Sequence, residues 1–594
     1  MITNRIFILL LFFNFAACSQ SVNTSGKNKT IAIKGQNIID QHKIRFIASE
    51  SDFGKITKIK GKSKNDFSYK VETVQQPKFI YTLSTKLPLI TSNYEKNRIF
   101  LLSFKAKSIE SGLETGEAKV LFQFQQSDSY KDNLETTLSL ASEWNTYHVQ
   151  FQSTKDISDR DLGLVLQYGY RPQAFIIKDI KFEVFPLGID KNDLPKTKIS
   201  YSGIEPNAQW RKDAFQRIEK IRKGDFELYF TKNGIPVKNT KVKIKLIKHA
   251  FPFGAAIRAK DVVNNTQNYI NFKRGFSYVV LENDLKIKSW KNKKRRAIAL
   301  KALDILQKDN IDVKGHVLIW PGLRYLPPSI RENKNNPEKV KKIMLNHVRD
   351  ILSQTKGKVS RWDVVNEAYT NKDLQEITGS EKILFQGFRI TKSKSPEVER
   401  FTNEYGIISK GGIDTKKQKW YYDYIQRIDD HTGGLVDGIG IQCHMGSDLT
   451  SPERILEILD LYSKLNKKIS ISEFTMDLQD EEIRAKYTRD FMITAFSHPK
   501  ISEFLFWGCT RDPQNKVDIF KEDGSLGTMG IVYFDLVYNI WKTELTKETN
   551  SKGMLNGRGF YGTYKYQLFD NGKIIEGKFE LEKGQKPEIN IEIK

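Results

Sequence analysis

Between residues 250 and 548, short apolar, β-branched runs alternate with longer amphipathic stretches. Apolar runs of this length predict buried parallel strands, and the stretches between them predict helices. Eight strands separated by helices within about 300 residues predict an α/β fold with a (β/α)8 TIM barrel. The predicted strands are 251–257, 276–283, 313–320, 361–367, 398–404, 436–444, 468–475 and 502–508. The best predicted helices are 293–309, 337–355, 416–430, 452–465, 481–496 and 530–546.

The N-terminal part, residues 29–187, has a different pattern. Apolar and polar residues alternate there with a period of two and are interrupted by turn residues, which predicts an antiparallel β-sandwich. The alternating runs are 78–82, 99–105, 118–124, 144–151, 162–167 and 174–182. Their order resembles jelly-roll carbohydrate-binding modules attached to polysaccharide hydrolases. Trp144, Tyr168 and Tyr170 are candidates for stacking on sugar rings, although aromatic residues in a sandwich more often fill its core.

Two further segments flank the predicted barrel. Residues 188–207 contain prolines and polar residues without periodicity, which predicts a linker. Residues 208–249 predict a helix and then a hairpin, whose strands 225–230 and 240–246 are separated by a turn at 232–234. The C-terminal segment 549–594 has the same alternating character. We therefore expect it to pack with residues 224–247 as one small β element.

The first residues have the pattern of a secretory leader. Arg5 is followed by an apolar run and then by Phe15-Ala16-Ala17-Cys18, so we predict a signal peptide over 1–17. Small residues before a cysteine resemble a bacterial lipoprotein cleavage site, which would make Cys18 the acylated residue and 18–28 a flexible tether. The chain is then expected at a bacterial outer membrane or cell surface, held only through its lipid. Cleavage near Ala17 without lipidation is the alternative.

The amino-acid composition limits the classes of partner that the chain is expected to bind. The chain has 39% hydrophobic, 11% aromatic and 28% charged residues, as folded proteins do. Its net charge of +25 comes from 96 Lys and Arg against 71 Asp and Glu. Because the lysines are scattered and form no nucleic-acid motif, we predict no nucleic-acid partner, although an anionic glycan stays open. Cys443 and Cys509 lie in apolar runs and are expected to be buried free thiols. We expect a monomer.

The predicted barrel strands end in polar residues. Because catalytic groups of such barrels gather at the C-terminal strand ends, Glu367 and Glu473 are expected to face each other. They are 106 residues apart, and a pair of carboxyl groups indicates acid/base chemistry on a glycosidic bond. The other strand-end candidates are Glu282, Asn283, Lys286, His316, Trp320, Asn366, Gln442, His444 and Trp507. Glu404 is a third strand-end acid, for which we expect a structural or supporting role.

Five motifs in this order resemble glycoside hydrolase family 10, mainly endo-β-1,4-xylanases, over roughly residues 251–547. They are Glu282-Asn-Asp-Leu-Lys286, Gly315-His-Val-Leu-Ile-Trp320, Trp362-Asp-Val-Val-Asn-Glu367, Gly438-Ile-Gly-Ile-Gln-Cys-His444 and Ile471-Ser-Glu473. The resemblance implies a retaining mechanism, with Glu473 as nucleophile and Glu367 as acid/base, and carboxyl groups about 5–5.5 Å apart. Glu367 would have a raised pKa, while Glu473 would stay ionised with help from His444.

The same resemblance implies roles for the remaining candidates. Asn366 would donate to the sugar 2-hydroxyl, a bond that strengthens in the transition state. His316, Trp320, Gln442 and Trp507 would enclose the sugar that is cleaved. Glu282, Asn283 and Lys286 would hold the next sugar on the non-reducing side. Neither a metal nor an organic cofactor is implied.

Three positions depart from the family pattern. Pro321 and Leu323 stand where the xylanases usually have His and Gln, and Thr475 stands where they have the Asp that orients the strand-six histidine; Asp477 is a possible substitute. We therefore predict an endo-acting β-1,4-glycanase of the xylanase type, with a β-linked polysaccharide as substrate. A catalytically weak or inactive glycan-binding surface lipoprotein is the alternative.

Overall fold

The structure is a computed structural model that describes residues 34–40, 52–61, 67–113, 115–129, 132–197, 199–478, 480–510, 516–570, 572–585 and 588–593. The predicted leader, the lipidation site Cys18 and the tether lie outside the described residues. Within the described ranges, no helix combines the length and the apolar character needed to cross a membrane.

The N-terminal part folds as two antiparallel sheets that pack face to face. In one sheet the strand order is β2-β3-β10-β5-β8 with β1 beside β10, and in the other it is β4-β9-β6-β7. The strands are β1 Gln36–Asn37, β2 Gly54–Lys60, β3 Phe67–Thr73, β4 Ser84–Leu87, β5 Ile99–Ser111, β6 Ala118–Gln125, β7 Leu134–Leu140, β8 Asn145–Gln152, β9 Gly163–Gln167 and β10 Gln173–Val184. Inward aromatic residues such as Phe100 and Phe124, with ring centroids 4.8 Å apart, fill the space between the sheets.

Two expectations for this sandwich need correction. Residues 78–82 are predicted as a strand, but Ile80–Thr82 forms a 3-10 turn with Phe79 and Tyr81 exposed. Tyr168 is completely buried and belongs to the sandwich core, so it is not a stacking candidate. Trp144 is 42% exposed and lies beneath the ammonium groups of Lys107 and Lys178.

The predicted linker packs against both of its neighbours. Leu194 is buried with Ile99 and Leu101 of the sandwich. Further along, the hydroxyl of Tyr201 donates to Asp490 of the barrel at 2.9 Å. The linker therefore holds the sandwich against the barrel and does not act as a loose tether.

After the linker come helix α1 and three strands of a small β element. They are α1 Gln209–Ile221, β11 Lys223–Lys232, β12 Ile235–Pro236 and β13 Lys241–His249. The prediction that residues 225–230 and 240–246 pair as a hairpin is wrong. The turn after Lys232 joins β11 to the short strand β12, and β13 lies in another sheet. The alternating pattern predicts which face of a strand is buried and does not predict its neighbour.

A closed barrel of parallel strands follows, as predicted. Its strands are β14 Phe253–Ile257, β15 Tyr278–Leu281, β16 Asp312–Ile319, β17 Arg361–Asn366, β18 Glu399–Glu404, β19 Gly438–Met445, β20 Lys468–Met476 and β21 Ile501–Phe506. The TIM-barrel fold is thereby confirmed. The two remaining cysteines, Cys443 and Cys509, are buried and free, as predicted.

Helices surround the barrel and begin where the sequence supplies capping residues. They are α2 Ala259–Val263, α3 Gln267–Gly275, α4 Ile287–Trp290, α5 Lys293–Lys308, α6 Pro328–Arg331, α7 Pro337–Gln354, α8 Asp373–Thr378, α9 Lys382–Lys394, α10 Thr415–Thr432, α11 Pro452–Ser463, α12 Glu481–Phe496 and α13 Thr528–Phe534. Helix α7 begins at Pro337 because Pro suits the first helical position and the Asn336 side chain accepts from Lys339 N.

The last predicted helix, 530–546, is wrong over its final residues. Helix α13 continues as a π-helical turn, Asp535–Ile540, after which Glu544–Glu548 forms strand β22. Strand β22 pairs with β13, so tertiary pairing overrides the local helical pattern.

The C-terminal strands complete the small β element. They are β23 Met554–Phe560, β24 Gly562–Asp570, β25 Lys573–Leu581 and β26 Glu588–Glu592. One sheet has the order β12-β11-β23 with β26 beside β11, and the other has the order β22-β13-β24-β25. The segments that flank the barrel therefore pair directly with each other.

Candidate active site

A cavity of about 620 Å³ opens at the C-terminal ends of the barrel strands. Strands β15 to β17 and β19 to β21 each deliver polar or aromatic side chains to it, because parallel strands present their last residues at one rim. Its walls include the predicted residues Glu282, Lys286, His316, Trp320, Asn366, Glu367, Gln442, His444, Glu473 and Trp507. Asn283 lies beside it and contacts Glu282 and Lys286.

Glu367 directly follows strand β17 and is only 5% exposed. Neutral donors fix both of its carboxyl oxygens. Trp320 Nε1 donates to Oε2 at 3.1 Å, Asn371 Nδ2 donates to the same oxygen at 3.3 Å, and Gln442 Nε2 donates to Oε1 at 3.2 Å. The backbone of Glu367 has φ 54°, a conformation in which non-glycine residues are uncommon and which sites of chemistry often use.

Glu473 has different neighbours. Asn403 Nδ2 donates to its Oε1 at 2.8 Å, and His444 Nε2 lies 3.2 Å from its Oε2. Burial by itself would raise the pKa of Glu473. The hydrogen bond from His444 and the positive charges of His316, His444 and Lys286 outweigh burial, so the pKa lies below its ordinary value. The site therefore favours an ionised Glu473.

A chain of amide groups connects the two glutamates. Gln442 Nε2 donates both to Glu367 Oε1 and, at 3.1 Å, to Asn366 Oδ1. Asn403 Nδ2 donates to the same Asn366 oxygen at 3.0 Å and to Glu473. Because Asn366 Oδ1 accepts from two amides, its Nδ2 is the group left to face the cavity.

The partner of His444 is a hydroxyl. Thr475 Oγ1 lies 3.0 Å from His444 Nδ1, whereas Asp477, the possible substitute, pairs with Lys119 of the sandwich at 2.5 Å. A threonine hydroxyl can donate to a neutral imidazole but adds no negative charge that would stabilise an imidazolium. The Nδ1 side of His444 is therefore held by a neutral group, while its Nε2 faces Glu473.

Aromatic and cationic side chains gather on the side of the cavity formed by β15, β16 and β21. Lys286 Nζ lies 4.8 Å from the ring centroid of Trp320 and 5.9 Å from that of Trp507. His316 packs edge-to-face on Trp507 at 5.2 Å, and its Nδ1 lies 2.9 Å from Asp363 Oδ2. Flat apolar faces next to fixed polar groups suit a sugar ring.

Sequence reasoning missed four residues of the site. Asn403 and Asn371 bond the two glutamates, Tyr325 stacks on Trp320 with ring centroids 3.4 Å apart, and the Tyr405 hydroxyl donates at 3.3 Å to Thr370, which also accepts from Asn371. Asn403 was detectable, because it stands at a strand end beside Glu404. Tyr325 and Asn371 lie in loops without a sequence signal for their contacts.

Pro321 and Leu323 have structural contacts in place of the expected polar ones. Leu374 N donates to Pro321 O at 3.0 Å, and Leu323 N donates to Asp373 Oδ2 at 2.7 Å. These bonds join the loop after β16 to the start of helix α8. Glu404, the third strand-end acid, pairs with Lys417 at 3.1 Å and accepts from Tyr369 N, which fits a supporting role.

Two buried glutamates, amides and tryptophans at the C-terminal rim of a parallel barrel are the arrangement that glycoside hydrolases built on this fold use. Comparison with known proteins shows a similarity to one family of such enzymes: the model of glycosyl hydrolase family 10 matches residues 243–521.

Among curated proteins, the chain is similar to anti-sigma-I factor RsgI6 of Acetivibrio thermocellus, with 28% identity over 61% of this chain and 47% of the relative. It is also similar to endo-1,4-beta-xylanase 3 of Arabidopsis thaliana, with 25% identity over 63% of this chain and 50% of the relative. The chain thus spans about half the length of these relatives.

Among solved structures, xylanase 10B of Thermotoga petrophila in complex with xylobiose aligns with 49% of this chain and 95% of that chain, at 22% identity and a TM-score of 0.43.

Proposed function

We propose that the protein is a retaining endo-β-1,4-glycanase whose substrate is xylan or a related β-1,4-linked polysaccharide. The observation that carries the proposal is the difference between the two buried glutamates. Neutral amide and indole donors surround Glu367, whereas a histidine and nearby positive charges keep the pKa of Glu473 low. A double displacement needs this asymmetry, because one carboxyl must carry a proton while the other is ionised.

In the first step, a Glu473 carboxylate oxygen attacks the anomeric carbon and forms a covalent glycosyl ester. Glu367 gives its proton to the glycosidic oxygen as the bond to the leaving group breaks. In the second step, Glu367 takes a proton from water, and the resulting hydroxide oxygen attacks the same carbon and releases Glu473. The two inversions return the original anomeric configuration.

The positions of the neighbouring side chains support these two reaction steps. Asn366 Nδ2 is presented to the sugar 2-hydroxyl, and its orientation is set by Asn403 and Gln442. Trp320 and Trp507 form apolar walls around the cleaved sugar, and His316 packs against Trp507. Glu282, Asn283 and Lys286, which are linked by 2.8 Å hydrogen bonds, would hold the preceding sugar on the non-reducing side.

Labelling of the nucleophile tests the mechanism. A 2-fluoro-xylobioside inactivator should form a stable ester, and peptide mapping should find it on Glu473, because the fluorine slows hydrolysis of the intermediate. A 2-fluoro-cellobioside should label more slowly if xylan is the substrate. An adduct on any other residue would contradict the assignment.

A second candidate function is glycan binding without efficient hydrolysis. Thr475, Pro321 and Leu323 favour it, because each replaces a polar group that the family usually has near the sugar. Release of reducing ends decides between the two: purified protein that binds xylan but releases none from a panel of β-glycans would favour binding.

For location, we propose a monomeric, secreted lipoprotein anchored through Cys18. The leader pattern of residues 1–17 supports this proposal. Metabolic labelling with an alkyne fatty acid should mark the wild-type protein and should not mark the Cys18→Ser variant, and the labelled protein should partition with membranes.

A further inference from the structure

A second cavity, which we name the side pocket, opens next to the active-site cavity and has a volume of about 350 Å³. Lys286 and Trp320 line both cavities, so the two are immediate neighbours. Asn283, one of the groups proposed to hold the preceding sugar, also lines the side pocket. A substituent on that sugar can therefore reach the side pocket past the same side chains that hold the sugar.

The loop after β16 forms an aromatic wall of the side pocket. Tyr325 stacks on Trp320 with an interplanar angle of 13°, and the guanidinium carbon of Arg324 lies 4.5 Å from the Tyr325 ring centroid. The bond from Leu323 N to Asp373 Oδ2 anchors this loop at helix α8. The wall is therefore in place before a ligand arrives.

The other walls carry positive charge. Lys286, Lys288 of helix α4 and Arg295 of helix α5 line the side pocket, and none of the described residues that line it is Asp or Glu. Lys288 Nζ donates to the carbonyl oxygen of Arg324, a neutral acceptor, and has no carboxylate partner among the described residues. Arg295 lies 3.9 Å from Asp284 Oδ1, the limit of an ion pair. The side pocket therefore holds more positive than negative charge.

Neighbouring cations on a chain with a net charge of +25 are more often a solvated surface than a binding site. Two observations distinguish the cations of the side pocket. They line a cavity with a fixed aromatic wall, whereas an ordinary surface lysine extends into water. Burial and the charge of Arg331 also lower the pKa of Lys288, so a bound anion would relieve an existing repulsion.

We propose that the side pocket binds an anionic substituent, a carboxylate or a sulfate ester, on the sugar that Asn283 and Lys286 hold. This inference rests on the proposed function and specifies an acidic β-1,4-linked chain as the preferred substrate. Ammonium and guanidinium groups form charge-assisted hydrogen bonds with oxyanions, and a guanidinium can bind two oxygens of one anion at once. The stacked rings of Trp320 and Tyr325 add an apolar face for the ring of a uronic acid.

Hydrolysis of matched substrates by the full chain tests the side pocket. One pair is a xylo-oligosaccharide with a glucuronic acid branch on the sugar second from the cleaved bond, and the methyl ester of that branch. The other pair is the same backbone with a sulfate ester at that position, and the unsubstituted backbone. For at least one pair, kcat/KM of wild type at low salt should be about tenfold higher for the anion than for its neutral counterpart. High salt should reduce this ratio, because it screens the charges. The pair with the larger ratio identifies the anion that the pocket takes.

Two double variants show whether the cations of the side pocket cause the ratio. Lys288→Gln/Arg295→Gln removes two of them and should bring the ratio to within about twofold of one. Lys293→Gln/Lys294→Gln is the matched control, because it changes the net charge equally on exposed residues of helix α5 that do not line the side pocket. The control variant should keep the wild-type ratio.

A wild-type ratio of about one for both pairs would overturn the proposal. An unchanged ratio in the Lys288→Gln/Arg295→Gln variant would overturn it too, because the preference would then arise elsewhere. Equal losses in the two double variants would assign the preference to net charge and would also overturn it.

Binding is measured in parallel, because it can be detected without turnover. In the Glu473→Gln background, titration should show about tenfold tighter binding of the anionic oligosaccharide than of its neutral counterpart, and Lys288→Gln/Arg295→Gln should remove the difference. If wild type cleaves none of the substrates, the proposed function fails and the titration alone decides. A charge-dependent difference that the double variant removes supports the side pocket, and equal affinities overturn it.

Discussion

The two ends of the barrel bury acids in opposite ways. At the N-terminal end, Glu503 is completely buried and pairs with Lys314 at 2.7 Å and also with Arg361. At the C-terminal end, Glu367 and Glu473 are held by amides, an indole and a histidine. Opposite charges fix the protonation of Glu503, whereas the donors at the other end leave a carboxyl able to exchange a proton. The first arrangement suits stability and the second suits chemistry.

The difference predicts that the rim acids can be neutralised without loss of the fold. Glu473→Gln should lower kcat on an aryl xylobioside on the order of 10⁴-fold, because the covalent step is lost. The Tm should change little. For Glu473→Ala, added azide should restore turnover and give the inverted glycosyl azide, which a merely structural role would not produce. Glu482→Gln, on the exposed surface of α12, is the control and should keep full activity.

Neutralising the acid at the other end should have the reverse effect. Glu503→Gln leaves the buried Lys314 and Arg361 with less negative charge, so the free energy of unfolding should fall by about 3 kcal/mol. The matched control is Glu399→Gln, which removes a partly exposed partner of the same Arg361 and should cost less than about 1 kcal/mol. Urea denaturation measures both values, and equal losses would contradict the comparison.

The same acid predicts how stability depends on pH. Burial would raise the pKa of Glu503, but Lys314 and Arg361 lower it to about 2, from an ordinary 4.5. A depressed folded pKa contributes stability above the unfolded value, and this contribution is lost as the pH falls from 4.5 toward 2. The Glu503→Gln variant should therefore show a flatter acid branch in a plot of unfolding free energy against pH.

At the C-terminal rim, the residue beside His444, Thr475, should determine the pH at which kcat/KM falls on the acidic side. Thr475→Asp adds a negative charge at His444 Nδ1 and stabilises the imidazolium, which should lower the pKa of Glu473 further. The acidic limb of kcat/KM should then shift to lower pH by about one unit. Thr475→Val keeps the shape without the hydroxyl and should not shift the limb downward. A downward shift in the Val variant would indicate that charge is not the cause.

A second pH effect concerns the buried contact between the sandwich and the barrel, where Glu117 accepts from Ser447 and Asp448. Burial raises the pKa of Glu117 to about 8, opposed by hydrogen bonds from Asp448 and Ser447. A raised pKa means that the folded state holds its proton while the unfolded state has lost it, so stability falls as the pH rises from about 4.5 to 8. Glu117→Gln should remove this slope. Limited proteolysis at the sandwich–barrel seam at pH 5 and at pH 8.5 measures it, and an unchanged slope would place the titration elsewhere.

Local sequence patterns were sufficient to predict much of the barrel. Asn336 and Pro337 marked the start of α7, and Glu367 and Glu473 marked strand ends, because capping and periodicity act over a few residues. Pairing between distant segments was not predictable in this way. The alternating pattern of strand β13 does not specify its neighbours, and pairing with Glu544–Glu548 on one side and Gly562–Asp570 on the other places it in its sheet.

The sequence by itself determined the parallel barrel, the order of its strands and the acids and tryptophans at their C-terminal ends, since strand periodicity and strand direction place those residues at one rim. Only the tertiary structure decided which groups hold each acid, because Asn403, His444 and Trp320 reach the glutamates from other strands. It also decided that the sandwich stands beside the cavity. A buried carboxylate such as Glu117 needs a partner surface that is complementary in shape and donors, and neither segment carries that information alone.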